Sequence, residues 1–235
     1  MKKLLFIITA LLFAQSVQAQ LFSKERLANL ETFDNRLFSW GYFLGFNSYD
    51  FNFDYISENG NTETDIAVDS KSGFNVGLVA DLRINNYLNL RLEPGLSFTQ
   101  RNLLFPGFED EKDAIRDVRS TYIHVPLLLK ISTKRLNNIK PFIVLGLSTS
   151  LNLSSNEDNP DDNLQGEFRS TSSTGYYELG FGVDFYLFYF KFTPSIRGVF
   201  ASSNELVSDD DPLSPWTSNI SSMSSRGMFL NFTFQ

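Results

Sequence analysis

GFNVGLVADLRINNYLNLRLEPGLSFTQ (residues 73–100) contains two runs of alternating apolar and polar residues that meet at Asn85-Asn86. In the first run Phe74, Val76, Leu78, Ala80, Leu82 and Ile84 share one parity, and Asn75, Asp81 and Arg83 share the other. In the second, Leu88, Leu90, Leu92, Leu96 and Phe98 oppose Arg91 and Glu93. A period of two puts successive side chains on opposite faces of a strand. Asparagine tolerates the positive φ of a tight turn, so the stretch predicts a hairpin with one greasy face and one charged face. The fold turns on which solvent the greasy face meets.

The same alternation recurs along the chain. A first strand (38–55) sets Trp40, Tyr42, Leu44 and Phe46 against Gly41, Gly45 and Asn47. A fourth (120–132) sets Ile123, Val125, Leu127, Leu129 and Ile131 against His124 and Lys130, and a fifth covers 139–153. The sixth (174–187) opposes Tyr177, Leu179, Phe181 and Val183 to Glu178, Gly180, Gly182 and Asp184. The seventh (189–203) opposes Phe190, Phe192 and Ile196 to Lys191, Thr193 and Arg197, and the last is GMFLNFTFQ. Polar, largely acidic segments at 56–72, 102–119, 154–173 and 204–225 alternate with three tight connections. In an antiparallel ring this order sorts four long loops to one side and three short turns to the other.

Three features favour a membrane barrel over a soluble β-sandwich. The apolar parity is uniformly large, while the opposite parity carries Gly, Ser, Asn and charges, as a narrow filled lumen requires. That parity mixes both signs, Asp81, Glu93, Glu178 and Asp184 with Arg83, Arg91, Arg101, Lys130, Lys191 and Arg197. Enclosed charges must pair, so these residues are the candidate lumen ion pairs. Aromatics gather near strand ends: Trp40, Tyr42, Tyr87, Tyr122, Tyr177, Tyr186 and Tyr189 are candidates for the interfacial belts. The expected fold is all-β, an antiparallel up-and-down transmembrane barrel of about eight strands with a filled polar lumen. Pro94, Pro126 and Pro194 fall mid-strand and predict local kinks.

Composition bounds the chemistry. The 235 residues include 24 Phe, 9 Tyr and 2 Trp; mean hydropathy is −0.15 and net charge −7. An acidic chain disfavours nucleic acid as a partner. With no Cys and one His, disulfides, thiolate sites and multi-histidine zinc sites are excluded. His124 shares parity with Lys130 and reads as a structural lumen residue. The acidic runs 157–162 and 209–211 lack calcium-loop spacing and read as solvated loops. No catalytic group, cofactor, metal or small-molecule substrate is expected. Met1-Lys2-Lys3, the apolar run Leu4–Phe13 and Val17-Gln18-Ala19 read as a signal peptide over 1–19. A periplasmic lead-in (20–36) and a barrel domain (37–235) in the outer membrane follow. Eight strands leave no aqueous channel, which disfavours a porin.

Several blocks resemble the PorT family of Bacteroidetes outer-membrane proteins: NLETFDNRLFSWGYFLGFN, the hairpin extended through NLLF, STYIHVPLLLK, YYELGFGVDFYLFYFKFTPSIRGVF and SPWTSNISSMSSRGMFLNFTF. The resemblance covers residues 28–234 in matching order. It implies a component of the type IX secretion system, which exports cargo bearing a C-terminal sorting domain and serves gliding motility in relatives. Other secretion subunits and outer-membrane lipid are the partners it implies, and it supplies no catalytic residues. The alternative is a surface adhesion or structural barrel acting through its acidic loops.

Overall fold

The stretch 73–100 forms two neighbouring staves of a closed ring. Ser72–Arg83 (β3) pairs antiparallel with Leu88–Leu92 (β4) and farther along with Gly95–Leu104 (β5). Asn85 closes the turn with its own side chain, Oδ1 accepting from the N–H groups of Tyr87 (2.8 Å) and Leu88 (2.9 Å). This is the local bond that favours asparagine in turns. The computed structural model describes residues 28–56, 65–106, 108, 110, 114–155, 157, 169–209, 214 and 216–235. The expected signal peptide, the lead-in up to residue 27 and the acidic runs at 158–162 and 210–211 lie outside the described residues.

The other strands are Phe38–Tyr55 (β1), Ala67–Ser70 (β2), Ile115–Ser132 (β6), Ile139–Asn152 (β7), Ser173–Tyr186 (β8), Lys191–Ala201 (β9) and Ile220–Phe234 (β10). β2 continues into β3 and β4 into β5, so the strands make eight staves. All neighbours are antiparallel, and β1 pairs with both β3 and β10 to close the ring. Closure leaves no open sheet edge across the ring, a condition hydrocarbon imposes because it cannot hydrogen-bond to a free backbone group.

The registers give the ring its dimensions. From Phe38 the partners run Leu82, Leu90, Leu129, Leu145, Leu179, Gly198 and Met228, returning to β1 at Ser48, ten residues farther along. Eight staves sheared by ten residues tilt by about 40°, within the range of outer-membrane barrels. The outward parity is apolar, with Trp40 73%, Leu78 63%, Leu147 71% and Leu179 60% exposed. The apolar face of the opening hairpin therefore lies on the outer wall, and its charges lie inside.

The expected kinks take a milder form. Pro94 offers no N–H and separates β4 from β5, yet the register against β6 is unchanged across the break (Leu92 with Leu127, Gly95 with His124). Pro126 and Pro194 sit in strands whose registers do not shift. β6 and β10 begin at Ile115 and Ile220, inside segments read from sequence as loops. There the outward residues are Asp117 and Arg119 on β6 and Ser222 and Ser224 on β10, so the ladder outlasts the apolar contrast that reveals it.

The outer-wall assignment has a direct test. Leu147→Arg, in the middle of β7, should cost about 2–4 kcal/mol in unfolding titrations from lipid vesicles. A water-facing Leu147 would change stability by no more than about 0.5 kcal/mol.

Candidate functional site

The inward parity builds one connected charge network across the middle of the lumen. Asp81 on β3 takes Arg91 on β4 in a two-point pairing, Nη2 to Oδ2 at 2.7 Å and Nε to Oδ1 at 2.9 Å. Arg91 continues to Glu93 Oε1 (3.2 Å), and Glu93 Oε2 accepts from Arg197 Nη1 on β9 at 2.7 Å. Arg197 Nε then lies 2.7 Å from Glu178 Oε2, an ion-pair contact off the line of a hydrogen bond, and Glu178 Oε1 meets His124 Nε2 at 2.8 Å. A second pair, Lys130 with Asp184 at 2.6 Å, is completed by Thr193 Oγ1 donating to Asp184 (2.7 Å). All these side chains are buried. Burying a charge is tolerable only when it is paired and hydrogen-bonded, and five staves supply the partners here.

Aromatic side chains fill the space between the charges, and glycine makes room for them. A Cβ at Gly77 would lie 2.6 Å from the Phe43 ring, and one at Gly182 would lie 2.5 Å from Phe142. Phe142 in turn receives the Lys130 ammonium 4.0 Å from its centre. Toward the long loops the filling becomes apolar: Phe51, Ile66, Leu103, Phe105, Val118, Ile220 and Met223 form one buried cluster, with Phe108 and Trp216 stacked against it. Below it Glu205 enters from the β9–β10 connection and accepts from Tyr176 (3.1 Å) and Ser225 (2.5 Å). Burial pushes the Glu205 carboxyl above its ordinary range, against the opposing pull of Ser225 and Arg101. The lumen is thus filled as expected, but it is layered and not polar throughout.

The tight-turn end is closed by the lead-in. Its last residues form a turn and a short 3-10 helix, Phe33–Asn35, with Phe33 buried edge-on against Tyr186. Tyr186 donates its hydroxyl to Asp34 Oδ1 at 2.6 Å. Arg135, from the β6–β7 turn, stacks 3.8 Å over the Tyr186 ring. It donates to Asp34 Oδ2, to the Leu30 carbonyl (both 3.4 Å) and to the Asn29 carbonyl. Asn29 is held further by Asn138 Oδ1 (2.9 Å) and the Tyr186 carbonyl (3.0 Å). Between this plug and the charge network a cavity of about 20 Å³ remains, room for roughly one water.

Five candidate residues stand apart from the sequence-based reading. Tyr122 and Tyr186 are 4% and 2% exposed and point inward, not to the membrane interface. Parity carried that signal, since Tyr122 alternates in step with His124 and Lys130, and Tyr186 with Glu178 and Asp184. Arg83 is half-buried at the mouth and donates to Asn86 Oδ1 (2.7 Å), not to a lumen carboxylate. Arg101 sits 3.9 Å over Phe51 and donates to Tyr122 Oη (2.9 Å) and Ser225 Oγ (3.4 Å), so aromatics and hydroxyls hold it. Lys191 is buried with its ammonium 4.7 Å over Phe33. Trp40, Tyr42, Tyr87, Tyr177 and Tyr189 are exposed on the outer wall or rim. Alternation could not find Asp34, Arg135 and Lys140, the last 3.7 Å from Asp34, because they lie outside the alternating segments or at their ends.

The His124 ring is 3% exposed, is engaged by Glu178 and is flanked edge-on by Tyr176 and Phe229, beyond the reach of a lipid on the outer wall. Among the described residues no group of three or more potential ligands could hold a metal.

Residues 13–206 match the family described as outer membrane protein beta-barrel domain. No curated protein matches the sequence. Among solved structures the chain is similar to the outer membrane protein OprG from Pseudomonas aeruginosa, at 14% identity and TM-score 0.43, covering 83% of this chain and 94% of that one. It is similar to Neisserial surface protein A at 10% identity and TM-score 0.42, covering 82% and 95%. It is also similar to Ail, the attachment invasion locus protein of Yersinia pestis, solved with the heparin analogue sucrose octasulfate, at 13% identity and TM-score 0.38, covering 83% and 96%.

Two substitutions separate the network from the plug. Arg197→Met leaves Glu93 with Arg91 and Glu178 with His124 as their remaining partners, removes the bridge between them, and should destabilise the barrel by about 3–5 kcal/mol in vesicle unfolding titrations. Asp34→Ala takes a half-buried carboxylate away from the Tyr186 hydroxyl, Arg135 and Lys140 and should cost less, about 1–3 kcal/mol. It should nevertheless speed tryptic cleavage after Arg36 in the folded protein.

Proposed function

We propose, on the premise that this chain belongs to the outer membrane protein beta-barrel domain family, that it serves type IX secretion as an accessory or assembly subunit and not as the conduit. The observation that carries this reading is the occupied lumen: the network from Asp81 to His124 spans it, with the Phe33 plug on one side and the Phe51 cluster on the other. A barrel so filled offers cargo no route, so its contribution must come from its walls, rims or loops. The secretion assignment rests on the PorT-like blocks, which include both the plug sequence NLETFDNR and the network residues of the opening hairpin. In this reading the protein is exported to the outer membrane and works beside other secretion subunits. Delivery of sorting-domain cargo, and of adhesins in a gliding organism, depends on it.

A deletion strain compared with its complemented parent tests the proposal. Sorting-domain cargo should accumulate in the periplasm and be depleted from the medium, and Asp34→Ala should restore export if the plug only seals the barrel. Normal cargo in the medium of the deletion strain would overturn the assignment.

A further inference from the structure

The tight-turn rim is uneven. Two of its turns carry polar residues, Asn85 and Asn86 in one and Thr133, Lys134 and Asn137 in the other. The third, Leu187–Phe190, consists of four large apolar residues, with Phe188 80% and Tyr189 94% exposed. Beside it an open groove of about 660 Å³ runs between the start of β1 and the ends of β9 and β10, lined by Phe33, Trp40, Tyr42, Phe190 and Phe234. That volume falls in the range of small-ligand sites, about 300–1,000 Å³. The rings form a continuous surface: Tyr42 stacks on Phe234 at 5.3 Å, and Phe190 lies 6.0 Å from Phe234.

At the lip of the groove stands Arg36. Its guanidinium lies 5.3 Å from the centre of the Phe33 ring, and its N–H donates to the Phe33 carbonyl at 3.2 Å, which ties it to the plug. Arg91, Arg135, Arg197 and Arg226 are each ion-paired. Arg36 lines the groove with no such pair among the described residues. An apolar trough continuous with the outer wall and edged by one exposed cation complements one kind of occupant. Its chain would be apolar, its head would carry negative charge at the membrane surface, and the outer wall already faces lipid.

We propose that this groove binds one phospholipid of the adjoining leaflet, with the phosphate against Arg36 and an acyl chain along Trp40, Tyr42 and Phe234. Exposed charge pairs contribute up to about 1 kcal/mol, so Arg36 should favour a phosphate-bearing lipid about fivefold over an uncharged one.

Native mass spectrometry of the delipidated full chain reads this directly, with titration of phosphatidylglycerol and of diacylglycerol carrying the same acyl chains. The wild type should hold one phosphatidylglycerol and prefer it over diacylglycerol. Arg36→Gln should erase the preference while leaving diacylglycerol binding, Arg36→Lys should keep it, and Trp40→Ala should weaken both lipids. Equal retention of the two lipids by the wild type, or a preference that survives Arg36→Gln, would overturn the proposal. A photoreactive phenylalanine analogue at Phe38 supplies the second arm in intact cells. Lipid adducts are expected, and a dominant adduct with one protein would assign the groove to a protein partner instead.

Discussion

A ring of eight staves sheared by ten residues encloses a space too narrow for an aqueous channel and too wide to be left empty, so side chains must fill it. Every inward position is set by that constraint. Charges can enter only with partners, which is why Arg91 is gripped at two points by Asp81 and why Arg197 bridges two glutamates. Large rings can enter only where the neighbouring staves leave room, which is why Gly77 and Gly95 lie beneath Phe43. The network is a condition of closing the ring around these residues more than a source of stability. A buried ion pair roughly repays its own desolvation, and the penalty falls on whichever partner is left alone.

The two ends are closed by different chemistry. Toward the long loops apolar side chains and the stacked pair Phe108–Trp216 cover the polar middle. Toward the tight turns the closure is made by the chain itself, as Phe33 and Asp34 fold back under the barrel onto Tyr186 and Arg135. The first closure follows from burial of apolar surface. The second hangs on a few hydrogen bonds and one buried ring, so it is the element most easily displaced without unfolding the staves.

Much of this was legible in the alternation of residues 73–100. A period of two has only two faces, so Leu78 and Leu82 on one face placed Asp81 on the other. Repetition along the chain gave the stave number and named most of the network, including Glu178, Asp184 and Arg197. Three things were not legible. Apolar inward residues such as Phe43, Leu128 and Phe229 break the contrast without breaking the strand. Beyond the membrane the contrast disappears, so β6 and β10 run past their apparent ends. The plug has no period, since a single turn of 3-10 helix is fixed by tertiary partners more than a hundred residues away, Arg135 and Tyr186. Tyr122 and Tyr186 show the reverse case, where residue type suggested an interfacial belt and parity, read strictly, placed them inside.

A lumen occupied by its own ion pairs should conduct no ions. Recordings of the purified full chain in planar lipid bilayers test it most directly. The membrane should stay electrically silent with the wild type and equally with Asp34→Ala, because the network from Asp81 to His124 remains when the plug is loosened. A long-lived, ohmic open state in the wild type would contradict it.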